Sequence, residues 1–74
     1  MYVELSSHAN RRIKDHRQCG VSERDVIGAA KSIPGHIPYS MKFRNFIGAG
    51  KALFDLVLLD KSRSRLVVSV IGKH

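Results

Sequence analysis

The segment at residues 20–35, GVSERDVIGAAKSIPG, carries the clearest structural signal in the chain. Ser22 is a good N-cap, and Asp25 follows three residues later, which is the spacing of a capping box. Val21 precedes the cap, where it can pack against the next apolar turn as a hydrophobic staple. Apolar residues then recur at helical spacing, at Val26, Ile27, Ala30 and Ile33. A Pro-Gly pair ends the pattern, so the sequence predicts a helix over about 22–33.

The remainder of the chain changes to the two-residue period of β-strands. The segments IPYSMKFRNFI, ALFDLVLLD and RLVVSVIGK are separated by the turn sequences GAGK and DKSRS. We therefore predict strands over about 39–47, 52–59 and 65–72. Consecutive strands joined by short turns predict an antiparallel meander.

The chain before the capping box predicts a further helix. YVEL is either a short strand or an extended lead-in. Ser6 or Ser7 can cap a helix over about 7–17. With 74 residues and 8.3 kDa, the chain is predicted to form a single domain, residues 1–74. The predicted fold class is α+β, with two N-terminal helices packed on a three- to four-stranded antiparallel β-sheet.

Strand alternation assigns side chains to two faces of this sheet. The apolar face, which the helices would cover, is predicted to contain Phe54, Leu56, Leu58, Leu66, Val68 and Val70. The opposite face is predicted to contain Lys42, Arg44, Asp55, Val57, Arg65, Val67 and Ser69. That mixture suits a shallow groove or a partner surface, or else an ordinary exposed sheet face with β-branched residues.

The charge of the chain restricts the classes of partner. Thirteen Lys and Arg residues against six Asp and Glu residues give a net charge of +7 and a pI near 10.2. This excess favours RNA, DNA, an acidic protein or an anionic membrane, although a solubility charge is the alternative. Cys19 is the only cysteine, so the chain forms no internal disulfide, which suits a reducing cytoplasm.

Targeting, membrane and cofactor signals are absent from the sequence. No apolar run approaches the length of a membrane span, and the N-terminus lacks the pattern of a signal peptide. These features predict a cytoplasmic protein with no membrane contact. The histidines are too scattered for a zinc site, and no phosphate-binding glycine motif occurs. We therefore expect no metal and no cofactor.

The first helix concentrates basic residues beside its apolar stripe. His8 and Arg12 lie one turn apart, on the flank of the stripe formed by Ala9 and Ile13. Histidine exchanges protons near neutral pH, and arginine binds phosphate through paired hydrogen bonds. Metal-free RNA cleavage needs both capacities. The alternative is that His8 is an ordinary surface residue and that the neighbouring cations are solvated.

Three segments together resemble a known family. SSHANRRI, GVSERDVIGAA and RLVVSVI resemble small bacterial domains with the pattern S-x-H-A-x-x-R, then R-G-[IV]-S-x-x-[DE]-[IV], then a V-V-T-V strand. That family resembles the barnase–EndoU–colicin–RelE superfamily of metal-independent ribonuclease toxins. The chain departs from the pattern by inserting DHRQC between the helices and SIPGHIPYS before the first long strand. These insertions affect the expected shape of the groove.

The resemblance implies a function and a set of site residues. It places the family's helix histidine on His8, its helix arginine on Arg12 and its strand hydroxyl on Ser69. A ribonuclease of this kind would transesterify RNA through the 2′-hydroxyl, with these three residues in the catalytic site. Its toxin class implies an acidic antitoxin or immunity protein as a second partner. Lys42 and Arg44 match the family only as basic residues on its first strand. From the basic residues of the chain itself we expect Arg11, Lys14, Arg17, Lys42, Arg44 and Arg65 to bind RNA.

Two other readings are compatible with the sequence. The first is a non-catalytic basic phage or plasmid module that binds nucleic acid or a host protein through the same surface. The second is an oligomerising protein whose final strand, RLVVSVIG, pairs across a sheet edge to form a homodimer. Loss of His8 separates the first reading from a nuclease, since cleavage would stop while binding continued.

Overall fold

The computed structural model describes residues 2–15 and 21–72. Within these residues the predicted α+β class is confirmed, and the observed strand bounds differ from the predicted ones by at most two residues. The predicted end of the first helix near Arg17 lies outside the described residues. The elements in chain order are β1 (Tyr2–Leu5), α1 (Ser7–Asp15), α2 (Glu23–Ser32), β2 (Met41–Ile47), β3 (Leu53–Asp60) and β4 (Ser64–Gly72).

The sheet is mixed, so the predicted purely antiparallel sheet is wrong. Its strand order is β1-β4-β3-β2. The pairs β2–β3 and β3–β4 are antiparallel, as the meander predicted, but β1 runs parallel to β4 from Tyr2 opposite Ser64 to Leu5 opposite Val67. The YVEL segment is therefore a strand that precedes both helices. A parallel partner 62 residues away in sequence leaves no local signal, which is why strand alternation did not reveal it.

This strand order also corrects the predicted route to a homodimer. β4 lies between β1 and β3, so the final strand is an interior strand and not a free edge. Edge-to-edge pairing through RLVVSVIG would require β1 and the start of α1 to move away from β4. The edges of the described sheet are instead β1 and β2.

The start of α2 confirms the predicted capping box. The Ser22 hydroxyl accepts a hydrogen bond from the Asp25 amide (3.2 Å), and the Asp25 carboxylate accepts one from the Ser22 amide (3.1 Å). The same carboxylate accepts the Ala49 amide at 3.1 Å, which ties the turn between β2 and β3 to the helix start. These bonds, led by the one from the Ser22 backbone, lower the pKa of Asp25 below its usual value. Val21, the predicted staple residue, is buried in the core.

Both helices pack on one face of the sheet. Ala9 is fully buried and Ile13 packs against the core, which confirms the apolar stripe predicted for α1. The hydroxyl of Ser6 accepts the Ala9 amide at 3.0 Å, so Ser6 is the residue that caps this helix. The core between the layers consists of Ala9, Val21, Val26, Ala30, Ile33, Ile37, Phe54, Leu56, Leu58, Val67 and Val70.

A β-bulge in β4 corrects the predicted division of faces. Val57 of β3 lies opposite Ser69, but the next residue, Leu58, lies opposite Val67, so Val68 is an extra residue in β4. One extra residue reverses the alternation of the strand before it. Val67 is therefore fully buried under the helices, while Leu66 lies on the other side, opposite to the prediction for both.

The same reversal moves Arg65 into the core, which corrects its placement on the open face. Its side chain is fully buried, and its five N–H donors are all used. Asp60 accepts two of these bonds, at 2.6 and 3.0 Å. The remaining acceptors are backbone carbonyls at the end of α2, those of Ala30, Ile33 and Gly35, at 2.7–2.9 Å. Arg65 thus joins sheet and helix layers and has no donor left for a phosphate.

Candidate nucleic-acid interface

The edge of β4 beyond its last pair with β1 is covered by the start of α1. The Ser6 amide donates to the Val67 carbonyl at 3.0 Å, and the Ser6 hydroxyl donates to the Val68 carbonyl at 2.8 Å. One turn and a half along the helix, Arg12 Nε donates to the Val70 carbonyl at 3.3 Å. Arg12 is consequently half-buried and anchors α1 to the sheet. This contact gives Arg12 a structural role in addition to the predicted one.

The three predicted catalytic residues do not share one face. His8 is exposed on α1, on the helix side of the molecule. Ser69 pairs with Val57 in the sheet and alternates with the buried Val70, which places it on the face that the helices leave open. The structure therefore brings His8 and Arg12 to the same helix but leaves Ser69 on the other side of the sheet.

Cationic side chains gather on the solvent side of the two helices. A depression of about 580 Å³ is lined by Ser7, Asn10, Arg11 and Lys14 of α1 and by Glu23 of α2. A second depression, of about 490 Å³, continues along α2 and is lined by Glu23, Arg24, Ile27, Gly28 and Lys31. Because both depressions share Glu23, they form one surface. We call it the helix face; its members are Asn10, Arg11, Lys14, Glu23, Arg24, Ile27 and Lys31.

The charges of the helix face are mostly uncompensated within the described residues. Its four cations, Arg11, Lys14, Arg24 and Lys31, are exposed, and none forms an ion pair within 4.0 Å in the described part of the chain. Glu23 is the one described carboxylate that lines the two depressions, and the neighbouring Asp25 carboxylate attracts Arg24. The face therefore presents a net positive potential to solvent.

Two further predicted binding residues, Lys42 and Arg44, lie on β2, away from the helix face. Lys42 Nζ is 3.9 Å from a carboxylate oxygen of Asp55, which is nearly fully buried and also accepts the Asn45 amide at 3.0 Å. The Lys42 charge is thus partly compensated. Arg44 is exposed beside a bulge in β2, where Asn45 adopts a positive φ of 68°.

Sequence reasoning missed two of the four cations of the helix face. Arg11 and Lys14 were predicted as binding residues, but Arg24 and Lys31 were not. Seven residues apart, these two lie on the same side of α2, opposite the buried Val26 and Ala30. That periodicity was visible in the capping-box segment. Of the other predicted binding residues, Arg17 lies outside the described residues and Arg65 is buried.

The described residues contain no group of three or more His, Cys, Asp or Glu side chains placed to hold a metal ion. Within residues 2–15 and 21–72, no helix has the length and apolar character needed to cross a membrane. Comparisons of the chain with protein-family models, curated proteins and solved structures find no match.

Proposed function

We propose that this protein binds nucleic acid through its helix face, by contacts to the phosphate backbone. One observation carries the proposal: four exposed cations, from two helices that pack on the same face of the sheet, surround the Glu23 carboxylate. Lys and Arg side chains in this arrangement neutralise phosphates and release condensed counterions, which is the dominant source of backbone affinity. Asn10 adds a neutral hydrogen-bonding side chain on the same surface.

The kind of recognition follows from the residue types on this face. Its members include no aromatic side chain, so bases have no stacking platform there. Its one apolar side chain, Ile27, is half-buried between the cations. We therefore expect binding that depends on charge and little on base sequence. RNA is the first ligand to test because the family resemblance implies it, with DNA of the same sequence as the comparison.

A salt titration tests this proposal directly. Fluorescence anisotropy with a labelled single-stranded RNA should give an affinity that falls linearly with the logarithm of salt concentration. Four phosphate contacts predict a slope of about −3 for a single strand. An affinity that does not change with salt would contradict backbone binding. Tighter binding to DNA than to RNA would be compatible with binding at the helix face but would exclude RNA as the preferred ligand.

The toxin class implied by the resemblance adds an acidic protein as a second ligand of the helix face. Complementary charge speeds association, and a protein that covers this surface would exclude nucleic acid. An acidic antitoxin or immunity protein would thus inhibit by competition. The measurable consequence is that such a protein raises the apparent dissociation constant for RNA in proportion to its concentration.

Metal-independent cleavage of RNA is a second candidate function. The observation in its favour is that His8 is exposed on α1, the helix that carries Arg11 and Lys14. In this reaction His8 would take the proton of a ribose 2′-hydroxyl while the 2′-oxygen attacks the adjacent phosphorus. The 5′-oxygen then leaves, taking a proton from water, and a 2′,3′-cyclic phosphate remains. Ser69 takes no part in this mechanism, because it lies on the side of the sheet opposite the helices.

Incubation with total RNA in EDTA separates the two candidate functions. Discrete cleavage that survives chelation, ends in cyclic phosphate and disappears in His8→Ala would establish the nuclease. The matched control is His36→Ala, because His36 is also exposed but lies in the loop before β2. Salt-sensitive binding by the folded wild type without cleavage would support the binding function and exclude the nuclease.

A further inference from the structure

The second face of the sheet is covered by no element of the described chain. Both helices pack on the side of Leu56 and Leu58, so the alternate residues of β3 and β4 face outward. We call this surface the sheet face. Its members are Tyr2, Glu4, Lys42, Asp55, Val57, Leu59, Leu66, Ser69 and Ile71.

The centre of the sheet face is apolar. Val57 and Leu59 of β3 lie beside Leu66 and Ile71 of β4, and all four side chains are half-buried although no helix lies over them. Tyr2 of β1 is 66% exposed at the same surface. A small contiguous apolar surface of this kind can form the centre of a contact with another macromolecule.

The charges of the sheet face are arranged in pairs. Lys42 lies 3.9 Å from Asp55, and Glu4 lies 4.0 Å from Lys61 at the opposite side of the sheet. The Glu4 carboxylate also accepts the Ser64 hydroxyl at 3.0 Å. A polyanion or an acidic protein would have to compete with these carboxylates. A second copy of the same face would not, because a locally neutral apolar surface is complementary to itself.

The two sheet edges are poorly suited to self-association. β1 has only four residues. β2 is interrupted by the bulge at Asn45 and carries Lys42 and Arg44, and bulges and cationic side chains are devices that oppose edge-to-edge pairing. Contact between two copies is therefore directed to the face of the sheet and away from its edges.

The available area sets the strength of such a contact. Strands of 4, 7, 8 and 9 residues, about 4.8 Å apart, present a face of roughly 450 Å². Two copies would bury roughly 900 Å² in total, which lies in the range of weak, transient interfaces. The area is thus sufficient for a weak dimer that dissociates on dilution.

We infer that two copies of this chain associate face to face through their sheet faces, so that the helix faces lie on the two outer sides of the dimer. The apolar centre, the internally paired charges and the available area all support a second copy as the occupant. This inference does not depend on the proposed function, because it concerns the opposite side of the molecule and is measured without nucleic acid.

Sedimentation equilibrium from low micromolar to about 1 mM protein tests the inference. The expected mass rises with concentration from the 8.3 kDa of the chain to twice that value. High salt should strengthen the dimer because it screens the repulsion between two chains of charge +7. A monomer mass at every concentration, in low and high salt, would overturn the inference.

Two matched substitutions test whether the sheet face forms the dimer contact. Val57→Lys places a charge at the centre of the sheet face, and in a two-fold interface it does so twice, so we expect at least a tenfold weaker dimer. Ile27→Lys makes the same kind of change at a half-buried residue of the helix face and should leave the dimer intact. Leu59→Lys replaces Val57→Lys if circular dichroism shows that the latter is unfolded. A dimer that persists in the folded sheet-face variant, or one that Ile27→Lys disrupts equally, would overturn the assignment.

Discussion

The helix face and the sheet face both carry basic side chains, but their carboxylates are arranged differently. On the helix face Arg11, Lys14, Arg24 and Lys31 have one described carboxylate among them, Glu23. On the sheet face Lys42 has Asp55 within 3.9 Å, and at its border Lys61 has Glu4 within 4.0 Å. The comparison teaches that the positions of the few acids, more than the number of cations, decide which face suits a polyanion.

The acids that are missing from the helix face are used inside the fold. Asp25 closes the capping box, Asp55 is buried beside the β2 bulge, and Asp60 binds Arg65. Asp55 also lies close to the exposed Lys42, whereas the Asp60 carboxylate binds the buried Arg65 and neutralises no cation of the helix face. The basic surface is thus in part a consequence of how the fold satisfies its own polar groups.

The largest expected effect comes from Arg65, which joins the two layers that separate the faces. Arg65→Met removes five hydrogen bonds and leaves Asp60 without its buried counter-charge. Losing one partner of a buried ion pair typically costs about 3–5 kcal/mol. Urea denaturation should show this loss in the free energy of unfolding. The control is Arg63→Met, an exposed arginine two residues away, and an equal effect of both substitutions would contradict the structural role.

Low pH should weaken the ion pair between Asp60 and Arg65. The hydrogen bonds from Arg65 are the main cause that lowers the pKa of Asp60 from 3.8 to about 2. The folded state therefore favours the ionised carboxylate, and the stability it contributes is present above pH 3.8 and is lost as the pH falls through about 2. Thermal unfolding between pH 5 and pH 2 should show a decline in wild type that is smaller in Asp60→Asn. Parallel declines in the two proteins would show that other groups cause the acid effect.

Removing the charge of Glu23 should have a smaller effect, and it tests whether the helix face or the sheet face controls nucleic-acid affinity. Glu23→Gln removes the single described carboxylate of the helix face with little change in shape. Nucleic-acid affinity should rise about two- to fivefold at low salt, because a like charge no longer opposes the phosphates, and the gain should shrink as salt is added. Glu4→Gln, at the sheet face, is the matched control and should have less effect. Equal gains would mean that overall charge, and not the helix face, controls binding.

How well the sequence predicted the fold depends on the range of each interaction. The capping box of α2 and the apolar stripe of α1 were predicted because their residues lie within one or two turns of each other. The parallel pairing of β1 with β4 joins the two ends of the chain and has no local signature. The bulge at Val68 is a single extra residue, yet it exchanges the faces of Leu66 and Val67 and buries Arg65.

How well the sequence predicted the candidate site also depends on the range of the interactions. Arg11 and Lys14, predicted as binding residues, are exposed on one helix surface, because helical spacing is local, and their binding role stays a prediction. Ser69 was grouped with His8 and Arg12 by the family resemblance, but the structure places it on the sheet face of β4, the side of the sheet opposite the helices. A constellation drawn from several elements depends on which face each element presents, and that is set by tertiary packing.

The most direct test of the account compares two variants that each remove one arginine and one lysine. Arg11→Gln with Lys14→Gln alters the helix face, whereas Arg44→Gln with Lys42→Gln removes the same charge from β2. With RNA at one fixed salt concentration, we predict that the helix-face variant binds about tenfold more weakly, with a salt slope shallower by about 1–2, while the β2 variant stays within about twofold of wild type. Equal losses in the two variants, or a larger loss in the β2 variant, would contradict the claim that nucleic acid binds the helix face.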